Sequence, residues 1–169
     1  MWRRLCAAFV VVASLAAVSA CSSSSSKSAP ANPLQLDMIP AAIKALETQL
    51  GGPQKYFEIN ATSTLVNLFV ATDNATKAVA YVYAAKLQAP AAPEAASGPI
   101  FTAADVEFDP KTVLTKVLKQ LPDSSYRLFA VTGTAAGPAQ YVVTVDSSQG
   151  GELDVSVTAT GDILNAVDP

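Results

Sequence analysis

Asp105, Glu107 and Asp109 alternate with Val106 and Phe108. In an extended strand all three carboxylates would share one face, where they could gather Ca²⁺ through oxygen ligands. The same spacing suits a solvated edge strand whose charges discourage sheet-to-sheet pairing, with Asp109 engaged as a helix cap. A second acidic group, Asp146-Ser147-Ser148-Gln149-Gly150-Gly151-Glu152, sets carboxylates on either side of a Gly turn. It lacks the spacing of an EF-hand loop and reads as a hairpin turn. Paired acids of the glycosidase kind are available in a chain with 14 Asp and Glu, yet no pair stands out. The 169 residues include no His, which excludes imidazole bases, histidine-bearing zinc sites and the Ser/His/Asp and Cys/His hydrolytic arrangements. The expected tally is no catalytic residue, no cofactor and no metal ligand.

The remaining reactive group is a thiol. Arg3 and Arg4 precede an apolar stretch over residues 5–18, and small residues then lead to Cys21. The stretch is shorter than the about 20 apolar residues that a permanent transmembrane helix needs, so it reads as a secretory signal that is removed. The run Val18-Ser19-Ala20-Cys21 resembles the lipobox of bacterial lipoproteins. That resemblance implies that Cys21 carries an S-diacylglycerol and an N-acyl group and becomes the first mature residue. An ordinary signal cleaved at Val18-Ser19-Ala20 beside a chance cysteine is the alternative reading. Two or more acyl chains, at about 0.8 kcal/mol per buried CH₂, give stable anchoring where one gives only marginal binding. Cys6 would leave with the signal and Cys21 would be taken by lipid, leaving the mature domain without thiol or disulfide.

Residues 21–33, with Ser22 to Ser26, Lys27 and Pro30 and Pro33, bury no apolar surface and read as a tether, bare or sugar-bearing. Losing Arg3 and Arg4 would make the net charge of −3 two units more negative. An acidic domain without a Lys/Arg cluster is a poor candidate for nucleic acid, and lipid rather than charge would hold it to the membrane. Asn60-Ala61-Thr62 and Asn74-Ala75-Thr76 fit the glycosylation pattern but read as strand and turn residues in a bacterial chain. The Ala, Val, Thr, Asp and Pro richness resembles a high-GC actinobacterial protein.

Residues 34–169 must then position whatever acts. Pro40 and Pro110 each open an apolar periodic stretch, and Tyr56 and Tyr126 each open a β-branched and aromatic one, at the same Pro-to-Tyr interval. Residues 66–73 line up with 139–146, each segment ending in Asp and a turn. In the first half Ile39, Ile43, Leu46 and Leu50 recur at helical spacing and Gly51-Gly52-Pro53 ends the run. In the second, Asp109 caps a helix whose apolar face is Val113, Leu114, Val117, Leu118 and Leu121, with Val117 and Leu118 expected inward. Strands are expected at 56–62, 65–71, 78–87, 126–132, 140–145, 153–158 and 163–167, punctuated by Asp73-Asn74, Gly137-Pro138, Gly150-Gly151 and Thr160-Gly161.

The expected fold is α+β: two tandem repeats of a helix plus an antiparallel meander, over about 36–88 and 105–169, with the helices on one sheet face. An Ala/Pro-rich connector over 89–104 leaves the halves free to form one sheet or two lobes. The stretch Val155-Ser156-Val157-Thr158-Ala159-Thr160-Gly161-Asp162-Ile163-Leu164 resembles the closing strand pair of PepSY-type domains. Two such units in tandem are similar to secreted β-lactamase-inhibitor modules, although Asp73-Asn74-Ala75-Thr76-Lys77 lacks the Gly in the first half. The resemblance implies a non-catalytic interaction module at the outer face of the membrane, docking an envelope protein through a sheet surface or edge. The alternative is a carrier of lipid or another amphiphile, which needs an apolar volume of about 300 Å³ or more.

Overall fold

The computed structural model describes residues 34–135 and 137–167, and side chains as far as Leu164. The signal, the lipobox with Cys21 and the tether at 21–33 lie outside the described residues. Within them the fold is α+β, with two α-helices and one nine-stranded antiparallel sheet. Helix α1 (Ile39–Leu50) is followed by β1 (Lys55–Ala61), β2 (Val66–Thr72) and β3 (Lys77–Tyr83). Two short strands, β4 (Glu94–Ala95) and β5 (Phe101–Thr102), precede α2 (Pro110–Gln120). The chain closes with β6 (Ser124–Thr134), β7 (Gly137–Ser147), β8 (Glu152–Val157) and β9 (Ile163–Val167). The strand order is β4-β3-β2-β1-β6-β7-β8-β9, with β5 on the end of β1. The halves therefore share one continuous sheet, joined where β1 pairs β6.

Period-2 alternation puts Ile59, Leu68, Val70, Val79, Tyr81, Phe129, Val131, Tyr141, Val143 and Val155 on one face, where they join the buried stripes of both helices in a single core. Helix α1 buries Ile39, Ala42, Ile43 and Leu46, opens with Pro40 in its first turn and ends at Gly51 in the left-handed conformation. Helix α2 is capped by Asp109, whose carboxylate accepts the Thr112 N–H at 2.8 Å, and buries only Val113 and Val117. Leu118, expected inward, is instead 36% exposed. A helix resting on a sheet buries the stripe spaced by four that Val113 and Val117 define, and the neighbouring position turns away from it.

The two halves repeat several details. Tyr56 donates its hydroxyl hydrogen bond to Glu47 of α1 at 3.1 Å, and the Tyr126 hydroxyl donates to the Leu114 carbonyl of α2. Each tyrosine thus ties the start of its half's first long strand back to the preceding helix. Burial pushes the Tyr126 phenol up to about 12 and raises Tyr56 further still, with the Glu47 carboxylate adding to the burial of Tyr56. A bulge follows each tyrosine, between Tyr56 and Glu58 and between Tyr126 and Leu128.

The connector departs from expectation. It is not a free link, because it folds back along the outer edge of β3. The N–H groups of Gln88, Ala91 and Ala96 donate to the carbonyls of Val82, Ala80 and Thr76 at 2.9–3.0 Å, and Glu94–Ala95 pair with Ala78 and Lys77. Pro90 and Pro93 occur between these contacts, a residue type suited to an edge because it offers no N–H outward. Strand β3 itself ends at Tyr83 rather than continuing to 87, since Ala85 takes φ 61° and reverses the chain. Further on, the connector crosses Gly133 so closely that a Cβ there would lie 2.8 Å from the Pro99 carbonyl group. Among the described residues no helix is long and apolar enough to cross a membrane.

Candidate functional site

The segment 103–110, between β5 and α2, carries Asp105, Glu107 and Asp109, though not as an extended strand. Residues Ala103–Asp105 form a 3-10 turn. Asp105 Oδ2 accepts the backbone N–H and the hydroxyl of Thr102, both at 2.8 Å, and these bonds hold its carboxyl below the usual aspartate range. Asp109, lowered chiefly by the Thr112 N–H, is taken up in capping α2. Glu107 lies between them, clipped by its backbone: its N–H donates to the Tyr141 hydroxyl at 3.0 Å, and that hydroxyl donates to the Glu107 carbonyl at 2.8 Å. Phe108 packs on Phe129 and Tyr141 with ring centroids 4.8 and 5.5 Å apart. Among the described residues no group of three or more acidic, His or Cys side chains is placed to hold a metal ion.

Alternation along this pinned segment separates two surface grooves. On one side Ala103, Val106, Phe108 and Pro110 face α1 across a groove of about 640 Å³ whose other wall includes Pro40, Ile43, Lys44 and Pro53. On the other side Ala104, Asp105 and Glu107 line a second groove, of about 590 Å³, with Pro138, Tyr141 and Leu164. Asp105 and Glu107 therefore do share a side, as their spacing implies, while Asp109 does not join them. The Tyr141 hydroxyl is the clip between segment and sheet, and burial raises its pKa. Tyr141→Phe should lower stability by about 1–2 kcal/mol by leaving two backbone groups of Glu107 without their partner. Hydrogen exchange should localise the loosening to residues 103–109.

The second acidic group is a hairpin support. Asp146 and Glu152 face each other across β7 and β8, and Arg127 of β6 reaches both, at 3.5 Å to Asp146 and closer to Glu152. Asn74 sits in the β2–β3 turn, where Asp73, Asn74 and Ala75 all take positive φ. Asn60 has a different place, on the sheet face away from the helices. Asn67 donates to Asn60 at 2.8 Å and Asn60 donates to Glu58 at 2.6 Å, a polar row crossing β2 and β1. Half-buried Phe69, Val82, Leu128 and Val142 occupy neighbouring positions of that face. Sequence reading did not find Arg127, Tyr141 or this row, because pairing across strands that lie far apart in the chain creates them.

No known family model matches the chain, and no curated protein matches it in sequence. In structure it is similar to a protein of Clostridium difficile 630, described as a "putative lipoprotein" and known from a crystal structure at 1.85 Å. The two share 11% identity with a TM-score of 0.52, over 76% of this chain and 90% of that one. Similarity at this identity speaks for the fold alone.

Proposed function

We propose that this protein is a lipoprotein of the bacterial cell envelope, anchored through Cys21 at the outer face of the membrane, that acts by docking another envelope protein rather than by catalysis. The observation that carries the docking reading is the sheet face that no helix covers among the described residues, where half-buried apolar side chains flank the Glu58–Asn60–Asn67 row. Such a face sets apolar side chains beside fixed polar groups, the mixture that a protein interface uses. Four of the five acids marked by the sequence are engaged structurally, Asp105 and Asp109 as caps and Asp146 and Glu152 through Arg127. A protein described as a "putative lipoprotein" has a similar fold, and the lipobox-like run Val18-Ser19-Ala20-Cys21 supports the anchor.

The matching tyrosine ties and matching bulges support a duplicated helix-plus-meander unit, over about 36–88 and 105–169, of the PepSY-like kind. A second reading is favoured by the groove of about 640 Å³ beside α1, which exceeds the volume an amphiphile needs. It is a surface groove between helix and segment, not a chamber between helices and sheet, so it would hold a chain along one side only.

Cys21→Ala should move the protein from the membrane fraction to soluble or unprocessed forms, read by fractionation and mass spectrometry; unmodified Cys21 on membrane-bound protein would refute the anchor. In a pulldown from envelope extract, the protein should retain a partner that Ala80→Arg on the bare face releases. Retention of the same partner by that variant would remove the docking reading.

A further inference from the structure

The groove of about 590 Å³ combines three features that arise independently. Its acidic wall is Asp105 and Glu107, and neither Lys nor Arg is among its lining residues. Asp105 keeps its charge below the usual aspartate range, and Glu107 is exposed, with its carboxylate in no ion pair among the described residues. The rest of the lining carries no charge: Pro138, Ala139, Val157, Ala159 and Leu164 are apolar, and Thr134, Gln140 and Thr158 are neutral.

Leu164 is the second feature. Strand β9 pairs Asn165 with Ser156 and Ile163 with Val157, so Leu164 is the extra residue of a bulge. A bulge re-aims a side chain and interrupts the edge. Here it leaves Leu164 lining the groove at 59% exposure, the most exposed large apolar side chain among the described residues. An irregular edge also disfavours continuation of the sheet by another strand at this point. What docks must therefore be recognised mainly through its side chains. The third feature is the rigidity of the acidic wall, which Tyr141 clips by two backbone hydrogen bonds and Phe108 braces from the core.

We propose that this groove binds a peptide segment of a protein partner in which Lys or Arg alternates with an aliphatic residue. The aliphatic side chain packs on Leu164 and Pro138, and the cation faces Asp105 and Glu107. Charge complementarity decides the occupant: an anionic lipid head group or an acidic peptide would meet two like charges with no compensating base. This goes beyond the bare-face docking reading and rests only on its premise that the protein works by binding.

The test uses the protein produced from the full chain, titrated with a capped peptide alternating lysine and leucine. Control peptides alternate glutamate with leucine and lysine with serine. The lysine–leucine peptide should bind at least tenfold more tightly than either control and shift the backbone amides of residues 104–107, 139–141 and 158–164. Glu107→Lys and Leu164→Ser should each weaken binding at least fivefold, while Gln149→Ser in the β7–β8 turn should leave it unchanged. Glu107 makes no side-chain contact that folding needs, so its variant keeps the test valid if Leu164→Ser lowers stability. Equal binding of the glutamate–leucine peptide, undiminished binding by Glu107→Lys, or shifts mapped along α1 would each overturn the proposal. A partner captured from envelope extract that is lost with Ala80→Arg but kept with Glu107→Lys would sink this groove's role and leave the bare-face docking intact.

Discussion

Val117→Asp should leave the domain unfolded or cost it at least about 4 kcal/mol, whereas Leu118→Asp, one position along the same helix, should cost only about 1–2 kcal/mol. Val117 is 0% exposed and belongs to the core shared with Phe129, Val143 and Val155, so a carboxylate there would lose its water without gaining a partner. The loss of the valine's own burial adds about 1.5–3 kcal/mol. Since a domain of this size is stable by only about 5–15 kcal/mol, the charge alone is a large fraction of the whole. Leu118 points outward, and an added charge there meets water. Thermal melts of the two variants decide the matter. Equal melting temperatures would place α2 on the wrong face.

Gly161→Ala is expected to be nearly as damaging, for a different reason. Gly161 has φ +80° in the turn from β8 to β9, where an L side chain is strained by about 1–2 kcal/mol. A Cβ at that position would stand 2.6 Å from the Val113 Cα, and backbone cannot give way as a side-chain tip can. Overpacking of this kind adds about 1–3 kcal/mol. The turn is also held to α2 by Lys116, whose ammonium reaches Asp162 at 2.8 Å, and by the Asp109 N–H bonded to Ala159 at 3.3 Å. A loss of about 3 kcal/mol should therefore appear with a drop in melting temperature of roughly 10 °C. Gly150→Ala makes the comparison, since Gly150 shares a positive φ but has no atom within 4 Å of its would-be Cβ. If both alanines cost the same, strain alone explains Gly161 and the contact with α2 counts for nothing.

The regular elements were legible because each is written locally. The strand faces follow the alternation of Val66, Leu68 and Val70 or Tyr141, Val143 and Val145, and both helix starts follow Pro40 and the Asp109–Pro110 pair. Three things were not legible. The connector's fate depends on an edge that exists only once β3 has formed, and its Ala and Pro content describes an edge-capping segment as well as a loose linker. The orientation of Leu118 hinges on one step of helix rotation, which a broad apolar face leaves undecided until the sheet sets it. The segment 103–110 has the spacing of a strand, yet Thr102 and Asp105 close a tight turn that spacing alone does not reveal. The grooves on either side of it bring residue 40 beside residue 110 and residue 105 beside residue 164, juxtapositions set by tertiary packing.

The segment that returns along β3 bears on the order in which the molecule is assembled. Residues 88–96 follow β3 directly in the chain, so they can seal its outer edge at the speed of a local hairpin, before any residue of the second half is needed. Once that edge is closed, the first half has one long strand edge left open, the far side of β1, and β1 is the strand that β6 joins. A growing or refolding chain is thus offered a single template for its remaining strands. The same sealing denies other molecules a place to add strands to the first half during the wait, when half-built sheets are most prone to aggregate.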